Sequence, residues 1–144
     1  MKKTFVLILL IFTLTGCIQN ENFTETCKTE NLSENITDKT KTKVTFNNKD
    51  EILKAVITKT YRSKNEKGQK TIEAIKESAD TYNQKYAENK NIKIEISKNN
   101  EVEYQIKYHL NVQNLSDNTL REFNLRKNSI RYFNLMKDKE IECQ

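Results

Sequence analysis

The chain contains no proline or tryptophan, two glycines, one histidine and three cysteines in 144 residues. So little glycine excludes a glycine-rich phosphate loop, which needs several bare backbones close to the anion. A single histidine, His109, excludes a His-Glu-Xaa-Xaa-His zinc motif and gives no local support to a Ser-His-Asp set. With Cys17 set aside as a lipidation site, two cysteines and one histidine are too few ligands for a closed structural zinc site, so no metal and no cofactor is expected. Long apolar runs are also missing. The longest, Phe5 to Leu14, falls short of the roughly 20 residues of a transmembrane helix. Nor is charge of one sign concentrated anywhere. Lysine and glutamate alternate along most segments, which is not the one-sided basic pattern of a nucleic-acid-binding module.

What is present begins at the N-terminus. Lys2 and Lys3 precede the apolar run, and Leu14-Thr15-Gly16-Cys17 closes it. This is the form of a bacterial lipoprotein signal: a basic n-region, a short apolar segment, and small residues before the cysteine that becomes the lipidated N-terminus. Residues 1–16 are therefore read as a signal peptide and Cys17 as the lipidation site. Several acyl chains give stable anchoring where one is marginal, so the expected location is the extracytoplasmic face of the cell membrane. Removing 16 residues from 144 leaves 128, the size of one domain with its tether. Lys2 and Lys3 leave with the signal, so 25 basic residues fall to 23 against 20 acidic ones and the net charge of +5 becomes +3.

With Cys17 acylated, Cys27 and Cys143 remain. In an exported chain a single disulfide joining the two ends of the domain is the natural pairing, two free thiols being the alternative. From Ile18 to Lys41 the residues are almost all Asn, Glu, Thr, Lys and Ser. Such a composition buries little apolar surface, so 17–41 reads as a lipidated polar tether.

From Thr42 the pattern is that of a folded domain, 42–144. Val44 and Phe46 alternate with polar residues, Asn47 to Asp50 supply turn chemistry, and Leu53, Ala55, Ile57 and Tyr61 resume the period of two. A loop follows through Gly68. Ile72, Ile75, Ala79, Tyr82 and Tyr86 recur at steps of three and four, which predicts an amphipathic helix over 70–88. Ile92, Ile94 and Ile96, then Val102 to Val112, alternate as two more strands, with Lys98-Asn99-Asn100 as a turn in which Asn takes positive φ. Ser116 or Asp117 caps a short turn, and Asn128 or Ser129 caps a last helix carrying Ile130, Phe133 and Met136 inward. The predicted fold class is α+β: two antiparallel hairpins around a central amphipathic helix, β-β-α-β-β, with a short C-terminal helix.

The lipobox, the Cys27-Lys28-Thr29-Glu30 element, the strand pair around Val44 to Tyr61, the central helix, the long alternating strand and the terminal Glu142-Cys143 together resemble the small YehR-like lipoproteins of bacteria. The resemblance implies an anchored extracytoplasmic α+β domain. It implies no activity and no catalytic residues, since that family has none established.

Alternation puts His109 on the polar face of its strand, where a solvated histidine is expected. Tyr61, Tyr82, Tyr86, Tyr104 and Tyr108 all fall on inward faces. They are read first as core bulk whose hydroxyls need partners, and second as an aromatic binding surface for a peptide, glycan or lipid headgroup. The expected function is a noncatalytic, membrane-anchored binding or envelope-associated module, with the membrane itself and an envelope component as partners. Two other readings are a cell-envelope hydrolase using acidic residues and a prophage-type exclusion or immunity lipoprotein. Replacing Cys17 by Ser is expected to release the protein from membranes or to leave an uncleaved precursor, as membrane fractionation would show; unchanged anchoring would refute the signal.

Overall fold

The computed structural model describes residues 21–144. The segment read as a signal peptide, residues 1–16, and the expected lipidation site Cys17 lie outside the described residues. Five strands form one antiparallel sheet in the order β1-β2-β3-β5-β4: β1 (Asn22–Leu32), β2 (Ile36–Asn47), β3 (Ile52–Ser63), β4 (Ile92–Asn99) and β5 (Glu103–Asn111). Helix α1 (Glu66–Gln84) links β3 to β4. A single 3-10 turn (Val112–Asn114), α2 (Asp117–Glu122) and α3 (Ser129–Asp138) follow β5.

The α+β class is as expected, but the sheet has five strands rather than four. The fifth comes from the segment read as a tether: β1 pairs with β2 along its whole length, from Asn22 opposite Asn47 to Leu32 opposite Thr37. A strand at the side of a one-faced sheet needs only a few apolar side chains. β1 supplies Phe23 and Cys27 to the covered face, and threonine, which suits a pleated surface, fills much of the rest. The middle of its outer edge, Thr26 to Lys28, is paired by the C-terminal tail. The Thr26 N–H donates to the Gln144 carbonyl at 2.6 Å, the Gln144 N–H returns a bond to Thr26 at 2.9 Å, and Cys27 is disulfide-bonded to Cys143.

One face of the sheet is covered. Its rows run through Val44, Ala55 and Leu110 to Ile92, and through Thr42, Ile57 and Tyr108 to Ile94. Helix α1 lies over β3 and β5 and buries Ile72, with Ile75, Ala79 and Tyr82 packed against the core. Helices α2 and α3 cover the part nearer β1, burying Leu120, Tyr132 and Met136. The opposite face carries Thr, Lys, Glu, Gln and His109 outward, as the alternation requires.

Several local expectations shift. Helix α1 starts and ends one turn earlier than predicted, because the Asn65 side chain accepts the Gly68 N–H at 2.9 Å and caps it there; Tyr86 then lies in the turns after the helix. A register shift between Thr45 and Phe46 makes Ile52, not Leu53, the buried residue at the start of β3. Between β4 and β5, the Asn100 side chain accepts the N–H groups of Val102 and Glu103 at 3.0 and 2.7 Å. Positive φ occurs instead at Asp50, Asn124 and Glu140. Capping by Asn128 fixes the phase of α3 so that Tyr132 and Met136 face inward while Ile130 is 55% exposed.

Gly68 is a helix residue rather than a loop residue. A β-carbon there would lie 2.2 Å from the Asn35 backbone oxygen in the β1–β2 turn. Alanine is the better helix former by about 1 kcal/mol, yet Gly68→Ala is expected to destabilise the domain by about 1–3 kcal/mol, since backbone must move. Urea unfolding would check this, and a neutral or stabilising result would refute the close approach.

Candidate functional site

The five tyrosines singled out in the sequence come together as two groups between α1, the turns after it and the sheet. Tyr61 and Tyr104 stack with ring centroids 6.3 Å apart. Tyr82, Tyr86 and Tyr108 surround Phe123 in edge and tilted contacts of 5.3 to 6.0 Å. Tyr86, Tyr104 and Tyr108 are buried, while Tyr61 and Tyr82 are partly so. Their hydroxyls do not converge on one point, although those of Tyr82 and Tyr86 interact beside Glu122. Tyr108 donates to Asn83 Oδ1 at 3.0 Å, Tyr86 donates to Glu122, and Tyr104 finds no hydrogen-bond partner. Burial pushes all five phenols up, Tyr61 to about 12, with the Asp38 charge adding to it there. These are the properties of core residues.

A second cluster was not legible in the sequence. Between β1–β3 and the ends of α2 and α3 lies a cleft of about 190 Å³. Its apolar floor is Ile57, Phe123, Tyr132 and Met136, and its polar rim includes Thr29, Thr40, Thr42, Lys59, Asn124 and Lys139. Each strand contributes through its covered face: Thr29 is opposite Thr40, Thr40 opposite Lys59, and Thr42 opposite Cys27 and Ile57. Tyr132, absent from the tyrosines expected inward, is 1% exposed, and its hydroxyl lies 3.4 Å from Cys27 Sγ. Burial pushes this phenol up to about 12. The disulfide thus forms one wall of the floor. On the rim, Lys139 donates to Asn124 Oδ1 at 2.7 Å. Lys59 interrupts the apolar register of Ala55, Ile57 and Tyr61, and that interruption was the available sequence signal.

The carboxylates at the cleft do not form a glycosidase-like pair. Glu122 accepts both oxygens' worth of bonds from Lys85 Nζ, each at 2.7 Å, and a further bond from Tyr86. Hydrogen bonds from Lys85 and then Tyr86 hold its carboxyl below the ordinary range, the opposite of what a general acid needs. Asp38, one strand step beyond the rim and opposite Tyr61, is pushed up by burial against the opposing charge of Lys59. One of its oxygens is buried without a partner. His109 sits on the open face with Nε2 3.3 Å from Glu95 Oε2. The Lys107 charge, then the His109 hydrogen bond, hold Glu95 below its ordinary range. Among the described residues no three His, Cys, Asp or Glu side chains gather as metal ligands, and no helix is long and apolar enough to cross a membrane.

No protein-family profile matches the chain, and no curated protein matches it. Among solved structures, an NMR structure of a protein from Streptococcus pneumoniae TIGR4 is similar over 100% of this chain and 98% of that one, with a TM-score of 0.52 and 12% sequence identity. At that identity the likeness concerns the fold alone.

A buried hydroxyl without a partner costs about 1–3 kcal/mol in desolvation. Tyr104→Phe is therefore expected to be neutral or stabilising, whereas Tyr108→Phe, which removes the bond to Asn83, is expected to lose about 1 kcal/mol. Denaturant midpoints would separate the two, and a clear loss at Tyr104 would show that its hydroxyl is satisfied.

Proposed function

We propose that the chain is a lipid-anchored extracytoplasmic binding module, of the kind its YehR-like sequence layout implies, that takes its ligand in the cleft beside the disulfide without transforming it. The lipobox at Cys17 supports the anchor. The cleft carries the binding half of the reading: an apolar floor under a rim of hydroxyls, amides and two lysines suits recognition of a small group with an apolar part and a polar or anionic end. Glu122, the carboxylate at the cleft, is committed to Lys85 and Tyr86, so the geometry favours binding over acid catalysis.

At about 190 Å³ the cleft admits a side chain, an acetamido group or a short acyl segment rather than a whole drug-sized molecule. Titration of the isotope-labelled protein with hexanoate, N-acetylglucosamine and an alanyl dipeptide is expected to give saturable amide shifts confined to the neighbourhood of Thr40, Thr42, Lys59 and Asn124. Lys59→Gln together with Lys139→Gln should weaken binding of a carboxylate probe by about tenfold, corresponding to about 1.4 kcal/mol. Shifts that scatter over the surface, or turnover of a probe that stops on Glu122→Gln, would overturn the reading.

A further inference from the structure

Because residues 22–41 are strands rather than tether, the chain between the anchor and the domain is short. From Cys17 to Asn22 there are five peptide steps, which reach about 18 Å when fully extended, whatever path they take. A tether running to Lys41 would have reached about 80 Å. If Cys17 is acylated, as proposed above, Asn22 cannot stand much further from the headgroups than their own depth plus that leash.

The end of the domain where β1 begins carries an apolar strip. Phe23 is 43% exposed and contacts Phe46 with centroids 5.7 Å apart. Phe46 in turn meets Phe133 at 5.6 Å. One turn before Phe133 on α3 stands Ile130, 55% exposed. The first turn of α3 is fixed at this end because the Ser129 N–H donates to the Asp50 carbonyl at 2.7 Å, in the β2–β3 turn. Lys49 and Arg131 are exposed at this end and Lys54 is exposed on the open face of the sheet near it, and none takes part in the ion pairs found among the described residues. The acidic residues here are Glu21, Glu25, Asp50 and Glu51. Asp50 accepts from Ser129 Oγ at 3.2 Å and Glu51 from Asn47 at 2.9 Å.

The geometry points to this end as a membrane-docking surface: Phe23 and Ile130 enter the interfacial region of the bilayer that holds the lipid anchor, and Lys49, Lys54 and Arg131 meet anionic headgroups. Aromatic side chains favour that interface, and basic residues are drawn to anionic lipid within a Debye length. Exposed Leu32 and Val102 lie at the opposite end of the sheet. Leu32 is ten residues along β1 from Asn22, about 34 Å away, and is held off the bilayer when the Phe23 end is docked.

The absence of tryptophan makes the test direct. The full lipidated protein carrying Phe23→Trp, Ile130→Trp or Leu32→Trp is reconstituted into vesicles of phosphatidylglycerol and phosphatidylcholine, with and without acyl chains brominated near the headgroup. Expected are emission at shorter wavelength and about twofold quenching by the brominated lipid for Phe23→Trp and Ile130→Trp, with Leu32→Trp unaffected. Two tagged positions on different elements keep the test decisive if one variant folds poorly. Mass analysis of the N-terminal peptide and co-sedimentation with vesicles report on the anchor separately. Protein without acyl chains overturns both the anchor and the docking. Acylated, co-sedimenting protein with unquenched Phe23→Trp and Ile130→Trp, or with Leu32→Trp quenched equally, overturns the docking alone. So does an emission shift that needs an added anionic polymer instead of the bilayer.

Discussion

The attachment of the C-terminal tail to β1 is the constraint on which the rest of the structure depends. β1 pairs with β2 largely through threonine, lysine and glutamate, and Lys28 stands directly opposite Lys41, an arrangement that costs rather than stabilises. What fixes the strand is the pair of hydrogen bonds between Thr26 and Gln144, the Cys27–Cys143 bond across 116 residues of sequence, and the burial of Cys27 under Tyr132. In the chain-entropy view a closure of that length contributes as much as about 4.7 kcal/mol, and native disulfides in small secreted domains commonly contribute about 2–5. That is a large share of the 5–15 kcal/mol typical of a whole domain. The same bond forms a wall of the cleft and decides how short the leash to Cys17 becomes.

The two edges of the sheet are handled differently, and sequence chemistry explains each. The β1 edge is covered by the tail at its middle, from Thr26 to Lys28. The β4 edge is short, carries Lys93 and Lys98, and is irregular between Ile96 and Lys98, features that blunt pairing with another chain. The open face is lined by lysines spaced along β2 at Lys39, Lys41 and Lys43, and among the described residues only the first has a carboxylate partner, Glu30 at 2.9 Å. Residual positive charge there opposes stacking of one open face on another.

Legibility in the sequence followed how one-sided each element is. β5 was plain because Tyr104, Ile106, Tyr108 and Leu110 are all buried while their neighbours are not. Helix α1 was plain because its apolar stripe repeats over several turns. β1 was hidden because just one of its eleven residues, Cys27, is fully buried, and an alternation of Thr and Glu with Thr and Lys looks the same whether folded or not. The inward placement of the five tyrosines was legible. That the hydroxyls of Tyr108 and Tyr86 go to different partners while that of Tyr104 has none was not, because Asn83 and Glu122 lie far from them in sequence. The cleft draws on three strands and two helix ends, so local periodicity carries only its trace, Lys59 among the apolar positions of β3.

The docking surface and the cleft are compatible because they sit at different heights on the same strands. Thr29 lies seven residues along β1 from Asn22, about 24 Å at strand rise. With the Phe23 end against the headgroups, the Thr29, Thr40 and Lys59 side of the cleft stands clear of the bilayer by more than the depth of the headgroup layer, which is about 5–7 Å. A ligand reaching that rim comes from the aqueous side and not from the acyl chains. A leash of five residues then serves the binding site directly. Under the proposed anchoring, it would limit how far the rim can tilt away from the surface, and capture would take place at a nearly fixed height above the membrane.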